Sequence, residues 1–222
     1  MKIIAKISTD FSGKFGIPRQ SGMVEGLEGR IVFEKEYRSF DAVRGLEGFS
    51  HIWLLWQFSK TADVAWSPTV RPPKLGGNTR MGVFATRSPF RPNSIGLSCV
   101  RLKEIEMSEK FGPVLLVDGV DLADGTPIYD IKPYLPYADC RPDASGGFSD
   151  NARQELLEVS IPEHLLEKLP DGKREALRQV LALDPRPSYQ EDAERIYGFE
   201  FAGYEVRFRV QGKCLTVKEI IS

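Results

Sequence analysis

The chain has only three cysteines (Cys99, Cys140 and Cys214) and two histidines (His51 and His164) among 222 residues. No two cysteines have the spacing of a zinc site, and an odd, scattered set does not make a disulfide framework. Reduced thiols in a cytosolic protein are the expected state. Two histidines leave little room for a His-rich metal centre, so no metal is expected. The longest apolar run, residues 52–56, falls far short of the ~18 residues of a membrane-spanning helix. The opening segment Met1-Lys2-Ile3-Ile4-Ala5-Lys6 has no apolar region of signal-peptide length. A cytoplasmic protein without a membrane partner is therefore expected. Phosphate and nucleophile signatures are missing too. There is no G-x-x-x-x-G-K-[ST], no G-x-G-x-x-G, no H-E-x-x-H and no G-x-S-x-G. Those absences exclude a P-loop, argue against a dinucleotide-type or doubly wound fold, and leave metalloprotease and serine hydrolase readings without support.

What is present suits a soluble globular protein. The hydrophobic share is 41%, the charged share 27%, and 13 Phe, 3 Trp and 7 Tyr can fill a core. The net charge of −1 hides a strong asymmetry. Residues 60–103 hold eight Lys or Arg (Lys60, Arg71, Lys74, Arg80, Arg87, Arg91, Arg101, Lys103) against one acid, Asp63. Residues 104–150 hold ten acids against Lys110, Lys132 and Arg141. The basic stretch is broken by Pro, Gly and Asn, so it is loop-like, and a polyanionic partner is as well accounted for as scattered surface charge.

The first ~150 residues read as mostly strand. Strands are expected at 3–7, 30–33, 51–58, 81–86, 95–105, 114–117 and 128–131, with a short helix over 37–46 and the strand at 51–58 buried on both faces. Residues 61–80 form a long loop. Six or seven strands without alternating helices predict a barrel or sandwich. Beyond the polar linker at 138–151, helical spacing covers 162–169 and 173–183, the second helix ending before Pro185. Residues 205–210 and 215–218 predict a hairpin. The division expected is a β-barrel domain over 1–145 and a small α+β domain over 152–222.

Four segments set charged or polar groups beside residues that fix the backbone: 15–20, 41–51, 69–93 and 121–134. Rigid presentation of this kind suits a charged ligand. Their signature is Ala42-Val43-Arg44-Gly45-Leu46, Phe49-Ser50-His51, Arg71-Pro72-Pro73, Gly82-Val83-Phe84-Ala85-Thr86-Arg87-Ser88-Pro89, Arg91-Pro92-Asn93 and Asp124-Gly125-Thr126-Pro127, continuing through Asp130-Ile131-Lys132-Pro133-Tyr134. It closely resembles the TsaA-like (YaeB-like) family, strongly over residues 3–145 and more weakly through Leu183-Asp184-Pro185-Arg186-Pro187. Ser94 departs from the pattern, standing where relatives often carry Pro.

The resemblance implies a single-sheeted β-barrel that binds S-adenosylmethionine. It also implies a homodimer that methylates N6 of threonylcarbamoyladenosine at position 37 in a tRNA anticodon loop, with no DNA partner. Cofactor contacts would fall on Pro18, Arg19, Gln20, Phe58, Ser59, Arg87, Asp118, Gly119, Val120 and Asp121. From the residue chemistry, Arg87 or Arg19 suits the cofactor carboxylate, Asp121 its ribose or ammonium, and Phe58 its adenine or sulfonium. A base for the acceptor nitrogen is useful, and His51, Asp121, Asp124 and Asp130 are the candidates; the sequence does not choose among them. Arg71, Lys74, Arg80 and Arg91 are candidates for tRNA phosphates, and Trp66 or Tyr134 for stacking a flipped base. A non-catalytic RNA-binding barrel and a methyltransferase acting on a small molecule are the competing readings.

Overall fold

Alternating apolar and polar residues turn the N-terminal part into strands that share one apolar interior. β1 (Ala5–Thr9) sends Ala5 and Ile7 inward, and β2 (Glu28–Phe33) sends Gly29, Ile31 and Phe33. The computed structural model describes residues 1–61, 65–72, 79–150, 156–186 and 192–222. The helix expected over 37–46 is instead a chain of 3-10 turns at Lys35–Tyr37, Phe40–Val43 and Leu46–Gly48. Gly45, at φ 85°, breaks any continuous helix there.

β3 (His51–Gln57) buries Ile52, Leu54 and Trp56, while its other face is only half-buried, so the expectation of burial on both faces is corrected. β4 (Thr69–Val70) and β5 (Met81–Gly82) pair as a small ribbon apart from the barrel. The strand expected through residue 86 therefore stops at 82 and gives way to a 3-10 turn, Val83–Ala85. β6 (Ile95–Ser108), β7 (Gly112–Asp118) and β8 (Thr126–Pro133) complete the barrel. The strand order is β1-β2-β7-β6-β3-β8, and it closes because Ile7 pairs with both Ile31 of β2 and Thr126 of β8. Closure leaves no open sheet edge, and six strands give an interior filled by side chains.

After α1 (Pro136–Asp139), a second sheet follows. β9 (Glu158–Ser160), α2 (Glu163–Leu166), α3 (Asp171–Ala182), β10 (Tyr197–Phe201), β11 (Tyr204–Gln211) and β12 (Cys214–Ile221) form this region, with the strands in the order β10-β11-β12-β9. β9 runs parallel to β12, and the other neighbours are antiparallel. α3 ends before Pro185, as the spacing predicts, and buries Ala176, Leu177, Val180 and Leu181. Neither β9 nor β10 is anticipated by the sequence reading. Among the described residues no helix is long and apolar enough to cross a membrane.

The two sheets meet through the β1–β2 connection, residues 10–27. The ring of Phe11 lies 5.5 Å from that of Phe201. The Ala202 amide donates to the Asp10 carbonyl at 2.8 Å, and Lys173 Nζ pairs with the Asp10 carboxylate at 2.7 Å. Ser12 donates to Glu200, and the Glu25 amide to Gln179 Oε1 at 3.2 Å. Gly16, at φ +81°, packs so closely on Phe199 that an added Cβ would overlap the ring. On its inner side the same connection is tied to the barrel: Gly22 N donates to Gly119 O at 2.9 Å, and Cys99 N donates to Ser21 Oγ at 3.1 Å.

Candidate active site

A cavity of about 480 Å³ opens where the 10–27 connection crosses the barrel end. It is lined from four directions: by Pro18, Arg19 and Gln20; by Trp56, Phe58 and Ser59 at the end of β3; by Thr86 and Arg87; and by Asp121 from the β7–β8 connection with Thr126 at the start of β8. The volume is that of a site for one small organic molecule. Its wall is mixed in character. Trp56 and Phe58 pack with ring centroids 4.3 Å apart. The indole covers Gly96, where a Cβ would overlap it, so glycine is required at that point of β6. Arg87 donates to Gln20 Oε1, which joins the 10–27 connection to the 83–91 turn across the mouth.

Beside these groups sits one carboxylate. Trp56 Nε1 donates to Ser98 Oγ at 2.9 Å, and Ser98 in turn donates to Asp121 Oδ1 at 2.5 Å. Ser98 is buried, so this relay is shielded from water and each bond polarises the next. Burial pushes the Asp121 carboxyl up to about 6; hydrogen bonds from Ser98 and from backbone amides, and the more distant Arg87 guanidinium, pull the other way. A carboxyl displaced in this way inside a concave site is a candidate functional group.

The chain matches the family model "tRNA-methyltransferase O N-terminal domain" over residues 6–140 and "TrmO C-terminal domain" over residues 147–222. It is 45% identical over 215 residues to a tRNA (adenine(37)-N6)-methyltransferase of Escherichia coli K12, covering 93% of this chain and 91% of that protein. A tRNA (adenine(37)-N6)-methyltransferase of Eikenella corrodens is 44% identical over 174 residues, 78% of this chain and 98% of the relative. The chain belongs to the TrmO family. The crystal structure of TrmO from Pseudomonas aeruginosa superposes with a TM-score of 0.78 at 31% identity, covering 99% of this chain and 97% of that one. The TrmO fold is thus the closed barrel with its small C-terminal α+β region.

Of the residues singled out from sequence, Pro18, Arg19, Gln20, Phe58, Ser59, Arg87 and Asp121 come together around the cavity. Asp118, Gly119 and Val120 do not line it. Asp118 ends β7 opposite Arg101, with its Oδ1 buried and unpartnered. Gly119 turns the chain at φ +75° and accepts from Gly22, and Val120 is core. The turn at Gly119 aims only Asp121 inward.

Three of the four candidate bases also stand elsewhere. His51 shares a hydrogen bond with Ser50 at 2.9 Å and packs edge-on to Tyr134. Asp124 accepts from Ser8 Oγ and the Thr9 amide, a turn-fixing role. Asp130 pairs with Lys132 at 3.0 Å.

Arg71 and Arg80 line a second compartment next to the first, whereas Lys74 lies outside the described residues. Arg91 lines the first cavity, but its guanidinium donates to the carbonyls of Val83 (3.0 Å) and Thr86 (2.7 Å). Through these bonds Nη1 holds the turn. Tyr134 packs on His51 and Trp53, and Trp66 is 53% exposed and lines neither compartment. Trp56, Gly96 and Ser98 also belong to the site and carry no local sequence signal. What unites them is the register Trp56↔Gly96, which joins residues 40 positions apart and cannot be read along the chain.

Proposed function

We propose that this chain methylates N6 of threonylcarbamoyladenosine at position 37 of tRNA with S-adenosylmethionine as donor. The observation that carries the reading is the cavity itself: a fork of Arg87 with Gln20, an aromatic wall and one proton-accepting carboxylate converge in a chain of the TrmO family. The donor has a carboxylate, a sulfonium and an adenine, and these groups fit what lines the site. Arg87 would hold the carboxylate, Phe58 and Trp56 would pack on the flat or cationic parts, and Pro18 with Gln20 would close over them. When bound, S-adenosylmethionine supplies an electrophilic methyl on sulfur.

The protein's own residues contribute alignment and proton handling. Rigid walls hold the acceptor nitrogen in line, which can account for much of the rate enhancement. The acceptor is urea-like and must lose a proton when it gains the methyl. Asp121, ionised at pH 7, is the lining group able to accept it, and a base poised near neutrality serves this best.

The competing non-catalytic reading is tested by calorimetry with S-adenosylmethionine together with transfer of labelled methyl to tRNA; absence of both would overturn the proposal. Arg87→Ala is expected to weaken S-adenosylmethionine binding by about 1.5–3 kcal/mol, the worth of a charge-assisted hydrogen bond. Unchanged affinity in the folded variant removes Arg87 from the site. Arg71→Ala combined with Arg80→Ala should lower tRNA affinity, with cofactor affinity unchanged. The salt slope should fall by about 0.7–0.9 for each phosphate these side chains neutralise. A salt slope equal to the parent's assigns these arginines no phosphate.

A further inference from the structure

The second compartment, about 1310 Å³, shares the wall of Arg19, Gln20, Thr86, Arg87 and Pro89 with the first, so the two lie side by side. Among the described residues its lining holds four arginines (Arg19, Arg71, Arg80, Arg87) and no Asp or Glu. Phe84 also lines it, 73% exposed on the 3-10 turn Val83–Ala85. An exposed Phe on a loose loop would have no defined place, but the turn that carries this one is braced. Val83 is buried beneath it, and Thr86 N closes the turn on Val83 O at 3.1 Å. The Arg91 guanidinium clamps the carbonyls on either side and lies 5.6 Å from the centroid of the Phe84 ring. A ring carried on a braced turn, with a cation against it and most of its surface open, is a platform for a flat π-system. Surrounding arginines without acids select one that is attached to anionic groups.

We propose that Phe84 is the surface on which the acceptor adenine of the tRNA stacks once it leaves the anticodon loop, with Arg91 as the positioning residue that holds the ring. This rests on the tRNA-methylation reading above and adds to it the residue that takes the base. A target base must be unstacked to reach a cavity of this depth, and an aromatic side chain offsets the stacking it gives up. Phe84 stands on the compartment side of Thr86 and Arg87, and the carboxylate of Asp121 stands on the cavity side.

The test uses the full chain, tRNA lacking only the methyl group, and saturating S-adenosylmethionine. Phe84→Ala should reduce kcat/KM for tRNA by about 10- to 100-fold, the range of base–aromatic stacking, with cofactor affinity within twofold of the parent. Phe84→Tyr, which keeps a π-face, should restore activity, and Phe84→Leu, which keeps only apolar cover, should not. Rescue by Leu as good as by Tyr would make the ring a packing element and overturn the proposal. So would unaltered tRNA kinetics in Phe84→Ala, or a loss of activity that coincides with a fall in molecular mass by light scattering, which would assign the ring to contact between chains. If the parent itself transfers no methyl to tRNA, the functional reading falls and takes the stacking proposal with it; an active parent with an equally active Phe84→Ala variant overturns the stacking alone.

Discussion

Asp121→Asn is expected to give a protein that is more stable and nearly inactive. In the folded state the Asp121 carboxyl is raised to about 6, against 3.8 for the ordinary group. Folding therefore favours the protonated form, and stability falls as pH rises from about 4 to about 6. Above that window the charge remains a cost of about 2–3 kcal/mol, which Asn removes while its oxygen still accepts from Ser98. Thermal unfolding at pH 7.5 should rise by several degrees, on the order of 2–4 °C per kcal/mol for a chain of this size, and the gain should vanish near pH 4. The methyl-transfer rate with saturating substrates should drop about 10²- to 10⁴-fold, the usual worth of a positioned base. In the parent kcat/KM, which reports the free enzyme, should climb with pH through about 6. A variant whose defect lies wholly in cofactor affinity, with a normal maximal rate, would make Asp121 a counter-charge for the donor and not a proton acceptor.

The second large effect belongs to a residue outside the barrel. Phe199→Ala should destabilise the protein by about 3–5 kcal/mol, the range for truncating a core phenyl group, since Phe199 is only 6% exposed and packs on Phe208 as well as Gly16. It should also weaken S-adenosylmethionine binding, because the contact on Gly16 lies two residues from Pro18 and four from Gln20. Gly16→Ala should do the same by forcing the connection off the ring, and at φ +81° the new side chain is strained in any case. The two changes meet at one contact, so Gly16→Ala should cost less in the Phe199→Ala background than in the parent. Cofactor affinity unchanged in folded variants of both would mean that Ser21 and Gly22, on the barrel side, fix the connection without help.

Much of this architecture was legible in the sequence. Apolar runs bounded by turn residues marked the barrel strands, with period-two alternation plain in β6. Glu158–Ser160 carries too few residues to display that period, whereas Tyr197–Phe201 alternates over the same five residues as β1 and is missed all the same. The stretch after Gly82 looked like strand because Val83 and Phe84 are apolar; the Arg91 clamp, acting from eight residues away, bends it into a turn. For the site, loop residues flanked by Pro or Gly were visible as a group. Which of the acidic residues faces the cavity was not, since Asp118 and Asp121 differ only by the left-handed turn at Gly119 between them. The Trp56–Ser98–Asp121 relay depends on cross-strand register, which no local pattern encodes.

The C-terminal sheet is assembled around its final strand: β12 lies between β11 and β9, and among the described residues β9 has no other partner in the sheet. During synthesis, Asp10, Phe11 and Gly16 find Lys173, Phe201 and Phe199 only after more than 150 further residues have been made. Vectorial folding by the nascent chain can close the barrel well before β12 has cleared the ribosome. The 10–27 connection is then tied to the barrel through Ser21 and Gly22 before its outer side is anchored, so a ribosome-bound nascent chain should acquire the affinity for S-adenosylmethionine proposed above late and in a single step.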